Sequence, residues 1–258
     1  METSLQIEKD RFYKSLAKAA ILSLLIILAY FLNDIIELRW NDYGVYPRNF
    51  KHWYGIFTMP FLHGDQGHLF SNAVPLFVLA FGIFYFFKAK STLILFMMYL
   101  LTGILTWSIG MGGNHIGASG IVYAMTFFLV TISLIKQEKS LMSFSLIVIF
   151  LYGSIIWGFF PKLFPDKNIS WEGHLSGAVT GLILAWFYRK EGPEKKVYFE
   201  EEEEETADGG QQSVDGSQQT ADGNQQSADG GQQTADGGQQ TTDNGRRTDN
   251  EQNSKFVN

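Results

Sequence analysis

Six long apolar stretches, all within residues 1–192, restrict this chain more than any other feature. A membrane-spanning helix needs roughly 20 mostly apolar residues, within a range of about 17 to 25. The stretches that satisfy this are Leu16 to Ile36, His68 to Phe87, Ser91 to Ile109, Ser119 to Ile135, Leu141 to Phe160 and Trp171 to Tyr188. The first carries Lys18 at one end and Asn33 and Asp34 at the other. A signal peptide is the alternative for it, but no small-x-small cleavage site follows the apolar run, so the span is expected to be retained. The expected fold class is an all-α membrane protein with six transmembrane helices.

The positions of Lys and Arg orient the spans. Lys9, Arg11, Lys14 and Lys18 precede the first, Lys88 and Lys90 follow the second, Lys136 and Lys139 follow the fourth, and Arg189 and Lys190 follow the sixth. With six spans these clusters share one side, which predicts that both termini are cytoplasmic. Spans two, four and six then all enter from the outer side. Each begins with a polar residue: His68 opens span two, Ser119 opens span four, and His174 is the fourth residue of span six. At 1.5 Å rise per residue, all three lie within about two turns of the outer boundary. Polar groups in hydrocarbon are costly and are usually kept for function.

Gly117-Ala118-Ser119-Gly120 sits where a loop containing Gly110, Gly112 and Gly113 becomes a helix. Unpaired amides and the positive end of the helix dipole beside a hydroxyl favour a developing oxyanion. The plainer reading is that Ser119 is an N-cap, a position serine favours. His174, Gly177 and Gly181 share one face of span six, and small residues four apart let membrane helices approach closely. His174 could then act towards Ser119 as general base and general acid; otherwise it is a packing residue satisfied by a hydrogen bond. His68 and Asn72, four apart, could donate to an oxyanion, or could join helices as polar glue. Tyr123, four residues after Ser119, could stack on the imidazole or simply fill a helix interface. His115 is the main rival base. Ser170 is the expected cap of span six, Glu172 favours its first turn, and His52 and His63 read as loop or interfacial residues. A Ser-His dyad without a carboxylate is the proposal that follows.

These motifs together resemble those of the rhomboid intramembrane serine proteases, over about Asp42 to Arg189. They are Pro-Phe-Leu-His-Gly at 60–64, His68-x-x-x-Asn72, Gly117-Ala118-Ser119-Gly120-x-x-Tyr123-Ala124, and Gly173-His174-x-x-Gly177-x-x-x-Gly181. The resemblance implies a six-helix rhomboid-like bundle with Ser119 as nucleophile and His174 as base. It also implies an oxyanion and substrate-binding site from His68, Asn72, Gly117 and the Ser119 backbone, with Tyr123 supporting His174. Cleavage of other membrane proteins in or near their transmembrane segments is implied as well, without metal or cofactor. The expected partners are transmembrane protein substrates and the lipid bilayer, with no nucleic acid, and the expected place is a bacterial cell (inner) membrane. One departure is the loop after span one, which reads Arg48-Asn49-Phe50-Lys51-His52-Trp53-Tyr54 where many relatives have an adjacent Trp-Arg pair. Trp53, Tyr54 and Phe57 in that loop suit a membrane interface. A lateral gate is expected at span five, which bears Gly153, Trp157 and Gly158 and ends at Pro161; unchanged cleavage with spans two and five crosslinked would refute that.

The expected organisation is a cytoplasmic segment at 1–15, the protease domain at 16–192 and a tail at 193–258. The tail holds 15 acidic and 5 basic residues, leaving 11 acidic and 15 basic before it, so the acidity belongs to the tail. After Glu200–Glu205 it repeats units such as TADGGQQ and SADGGQQ. The seven-residue period lacks the apolar positions of a coiled coil, and low hydrophobicity with abundant Gly predicts disorder. Repeated Asp-Gly does not make a calcium-binding β-helix here, because the apolar position is missing. The absence of Cys excludes disulfides, thiolate chemistry and Cys-based zinc sites. Two other classes remain: a proteolytically inactive relative that binds or escorts membrane proteins, and a transporter or channel. The first would be favoured by loss of Ser119 or His174, and the second by ionisable residues at the bilayer midplane.

Overall fold

The structure, a computed structural model, describes residues 3–160 and 170–195. The chain divides into two units, Met1–Glu200 and Glu201–Asn258, and all described residues belong to the first. Pro161 and the repeats of the tail lie outside the described residues.

Six long helices follow in order: α1 Ser4–Ile36, α2 Gln66–Phe87, α3 Ser91–Ile109, α4 Ser119–Lys136, α5 Lys139–Tyr152 and α6 Trp171–Phe187. No named strand occurs among the described residues, where a single bridge joins Val45 to His115. By length and composition α1, the nearly continuous stretch Gln66–Ile109 and α4 are suited to cross a membrane, while α5 is a shorter apolar helix. Apolar residues face outward as well as inward, with Phe150 87% and Phe187 71% exposed. A helix apolar all round belongs in hydrocarbon or a large core. This is a multi-pass membrane protein.

Four of the six long helices start with a side-chain cap. Thr3 caps α1, Asp65 accepts from the His68 amide at 2.8 Å to cap α2, and Glu138 accepts from the Leu141 amide to cap α5. Helix α1 starts twelve residues before its predicted span, so at 1.5 Å per residue its total length is about 50 Å and its polar start projects beyond the apolar run. Helix α5 departs from expectation. Its α-helical bonding stops at Tyr152, and Gly153–Phe159 continues as a 3-10 helix. Gly153 is a poor helix interior residue, and 3-10 turns are common where α-helices end.

Buried residues from all six helices form the core, among them Ile26 of α1, Leu69 and Leu79 of α2, Met98 of α3, Phe128 and Leu129 of α4, Leu141 of α5 and Leu184 of α6. The most extensive helix contact is α4 on α6, followed by α1 on α2 and α3 on α6. Lipid tails are as apolar as these side chains, so close packing rather than water exclusion must hold helices together in hydrocarbon. Glycines permit that packing. A Cβ on Gly177 would press into the carbonyl of Gly120, and one on Gly181 into the carbonyl of Ala124.

The loop between α1 and α2 is ordered despite lacking a Trp-Arg pair. Val45 exchanges backbone hydrogen bonds with His115 at 2.9 Å in both directions. Arg48 donates to the carbonyls of Ser108 at 3.1 Å and Gly110 at 2.8 Å, tying the loop to the end of α3. Trp53 and Phe57 are exposed on its surface.

Candidate active site

Helices α2, α4 and α6 meet at their N-terminal ends. Ser119 is the first residue of α4, and the capping position before it belongs to Ala118, whose side chain makes no cap. The serine hydroxyl instead meets His174, with Oγ 3.0 Å from Nε2. The expected N-cap role for Ser119 is therefore replaced by a side-chain contact across two helices.

The second nitrogen of His174 fixes which proton goes where. Nδ1 lies 3.0 Å from the Gly158 carbonyl oxygen. A carbonyl only accepts, so Nδ1 must carry the hydrogen and Nε2 in the neutral ring is the acceptor facing Ser119. The Tyr123 ring stacks on the imidazole with centroids 4.1 Å apart and planes 7° apart. His174 and Tyr123 are both buried. Phe159 closes on Tyr123 edge-on at 5.1 Å. The imidazole is thus held by a ring on one face and a carbonyl on one edge.

Gly117 adopts φ +109°, a conformation glycine takes without penalty. Its amide donates to the Met59 carbonyl at 2.9 Å and is already used. What Gly117 supplies is room. A Cβ there would lie 2.6 Å from His68 Nε2 and 3.9 Å from Asn72 Nδ2, so both side chains stand directly beside it. The Gly64 amide makes a long 3.5 Å contact to His68 Nδ1, which makes that nitrogen the acceptor and puts the ring hydrogen on Nε2. Asn72 is buried and donates from Nδ2 to the His68 carbonyl at 2.8 Å. One further amide hydrogen remains on the same nitrogen. The first amides of α4 have no partner within the helix. The His68 and Asn72 donors therefore stand beside Gly117, two residues before Ser119 and the start of α4.

His115, the rival base, is engaged elsewhere. Its Nδ1 contacts Ser170 Oγ, and Ser170 also caps α6 by accepting from the Gly173 amide at 3.3 Å. Burial lowers the pKa of His115, and the charge of Glu172 partly offsets this. Glu172 is itself buried rather than simply exposed in a first turn. His63 lies in the loop before α2, as expected, but is buried there. It is 1% exposed and packs edge-on against the His68 ring at 5.0 Å. Burial, and next the charge of His68, push its pKa down to about 4. His52 packs against Tyr46 at 4.7 Å, away from Ser119.

Two participants carried no side-chain signal in the sequence: the Gly158 carbonyl and the Met59 carbonyl. Among the described residues, no group of three or more His, Cys, Asp or Glu side chains is gathered for a metal ion.

Comparison with known proteins bears on the same region. The sequence model described as Rhomboid domain matches residues 51–191. An uncharacterized protein of Mycobacterium tuberculosis (strain ATCC 25618 / H37Rv) is 33% identical over 183 residues, covering 67% of this chain and 73% of that protein. An uncharacterized protein of Mycobacterium leprae (strain TN) is 33% identical over 149 residues, 55% of this chain and 58% of that one. Rhomboid-like protein 11, chloroplastic, of Arabidopsis thaliana is 25% identical over 161 residues, 55% of each chain.

Proposed function

The chain belongs to the rhomboid family, and on that premise we propose that it is an intramembrane serine endopeptidase acting on transmembrane protein substrates. The observation that carries this reading is the 3.0 Å contact of Ser119 Oγ with an imidazole nitrogen whose ring is fixed from its other side by the Gly158 carbonyl. The protease domain of this reading is residues 16–192, with 193–258 as a tail and both termini in the cytoplasm.

In the proposed reaction, Ser119 Oγ attacks the carbonyl carbon of the scissile peptide while His174 Nε2 takes the hydroxyl proton. The carbonyl oxygen becomes an oxyanion beside His68, Asn72 and the Ser119 amide, where preorganised donors act most strongly. Collapse breaks the C–N bond. The amine leaves with the proton held by His174, and the acyl group stays on Ser119. Water then attacks the ester, giving its proton to His174, and the carboxylic product departs as Ser119 regains its hydrogen. Gly117, with no side chain, leaves room for the substrate backbone. The bond attacked must be locally unwound, because a helical carbonyl is already hydrogen-bonded, and open backbone is tolerated only in a protein-lined or wet cavity.

The test is Ser119→Ala and His174→Ala, each reconstituted with a model transmembrane substrate and probed with a serine-reactive fluorophosphonate. Wild-type cleavage and labelling, lost in Ser119→Ala, are expected; His174→Ala should also stop turnover. A wild-type protein that neither cleaves nor takes the probe would instead place it with inactive, substrate-binding relatives.

A further inference from the structure

At the end of the bundle opposite Ser119, α1 and α2 line an open cavity of about 310 Å³. Arg11, Lys14, Lys18 and Lys88 line it, with Asp10 as the one lining carboxylate. Lys14 Nζ lies 3.8 Å from Asp10, and Arg11 is ion-paired to Glu8 and sits over the Tyr85 ring at 4.6 Å. These contacts occupy two of the four cations. Lys18 stands 5.4 Å from the centre of the Phe84 ring, and Lys88 forms the rim where α2 ends. Four cations against two carboxylates leave the cavity electropositive.

Lys88 adds an independent observation. Its backbone lies at φ 44°, ψ −118°, a conformation that glycine takes freely and other residues adopt at a cost. The turn itself would be better served by glycine. What the lysine supplies at this position is its ammonium.

The position of the cavity indicates the ligand. Lys14 and Lys18 flank the point where the polar start of α1 gives way to its apolar run from Leu16. Farther along, Ile21, Leu24 and Leu28 are exposed and apolar. A molecule with an anionic head and apolar chains would meet matching surface along its whole length. We propose that this cavity binds the headgroup of an anionic phospholipid. Lys18 and Lys88 engage the phosphate, Arg11 and Lys14 raise the local potential, and the acyl chains lie along the outer face of α1. The site is separate from Ser119 and does not depend on proteolysis.

Native mass spectrometry of the full-length Ser119→Ala protein in detergent tests this without turnover. It would be titrated with phosphatidylglycerol or phosphatidylcholine, and the phosphatidylglycerol complex challenged with millimolar inorganic phosphate. Retained phosphatidylglycerol, little phosphatidylcholine and no displacement by phosphate are expected. Basic residues near a membrane contribute about a fivefold affinity each, so Lys18→Gln with Lys88→Gln should weaken phosphatidylglycerol binding about thirtyfold. Lys88→Gly alone should weaken it about fivefold while leaving the thermal midpoint equal or higher, since glycine suits that backbone. Equal binding of the two lipids, wild-type affinity in the lysine variants, or displacement by free phosphate would each overturn the assignment.

Discussion

Gly177→Ala tests whether the packing of two helices sets the geometry of the site. The added Cβ would lie 2.8 Å from the Gly120 carbonyl carbon and 3.1 Å from Tyr123 Cβ, with the Gly120 oxygen nearer still. These are backbone atoms and a side-chain root, so neither can turn aside. Reaching an ordinary 3.4 Å contact with that carbon requires α4 and α6 to part by at least about 0.6 Å. Gly177 lies three residues from His174 on the same face, so the shift reaches the imidazole nearly undiminished. The Ser119–His174 contact would lengthen from 3.0 Å beyond hydrogen-bond range. Misplacement by about 1 Å can cost on the order of a hundredfold in rate. We therefore expect kcat on a reconstituted transmembrane substrate to fall between ten- and a hundredfold, with KM little changed and reduced fluorophosphonate labelling. Circular dichroism should retain the helical signal. A variant with wild-type kcat would refute the idea that this glycine face sets the distance.

Three further outcomes follow from neighbouring contacts. Gly158→Ala puts a Cβ 2.8 Å from His174 Nδ1 and against the Tyr123 hydroxyl, so kcat should fall at least about tenfold while far-ultraviolet dichroism is unchanged. Ser170→Ala removes the α6 cap and leaves His115 Nδ1 without its partner, which should cost about 1–3 kcal/mol in denaturant unfolding; Ser170→Thr should recover much of it. His63, buried with its pKa near 4, should make the fold sensitive to acid. Between pH 6.5 and about 4 the unfolded chain takes up a proton that folded His63 refuses, so stability is full above pH 6.5 and declines through that window. Thermal midpoints at pH 7 and pH 5 should differ more for the wild type than for His63→Gln.

The residues that meet at the site were legible because their chemistry follows helical spacing. His68 with Asn72, Ser119 with Tyr123, and His174 with Gly177 and Gly181 each fall on one face, and helix direction brought the three starts to one end. What the sequence left open was the work of backbone and of tertiary contact. The Gly158 carbonyl that orients His174 belongs to no motif, since every residue has a carbonyl and only the 3-10 continuation of α5 aims this one. Burial of His63 depends on a loop whose own order comes from Asn41, Arg48 and the Val45–His115 bridge, contacts between residues far apart in sequence. His115 looked able to reach Ser119 along the chain. Its engagement by Ser170 is visible only once α6 is in place.

Gly158 also links two properties that the sequence treated separately. The segment expected to form a lateral gate, the end of span five, is the segment whose carbonyl holds the hydrogen on His174 Nδ1. A 3-10 helix has poorer hydrogen-bond geometry than an α-helix, so this segment is the weaker part of span five and the part best suited to move. Displacing it would release one edge of the imidazole while the Tyr123 stack still held its face. The ring could then change which nitrogen carries the hydrogen, and a proton on Nε2 cannot accept from Ser119. In the proposed protease, the base is therefore correctly protonated when Gly153–Phe159 is seated, and a substrate that entered by displacing that segment would have to let it return before chemistry began.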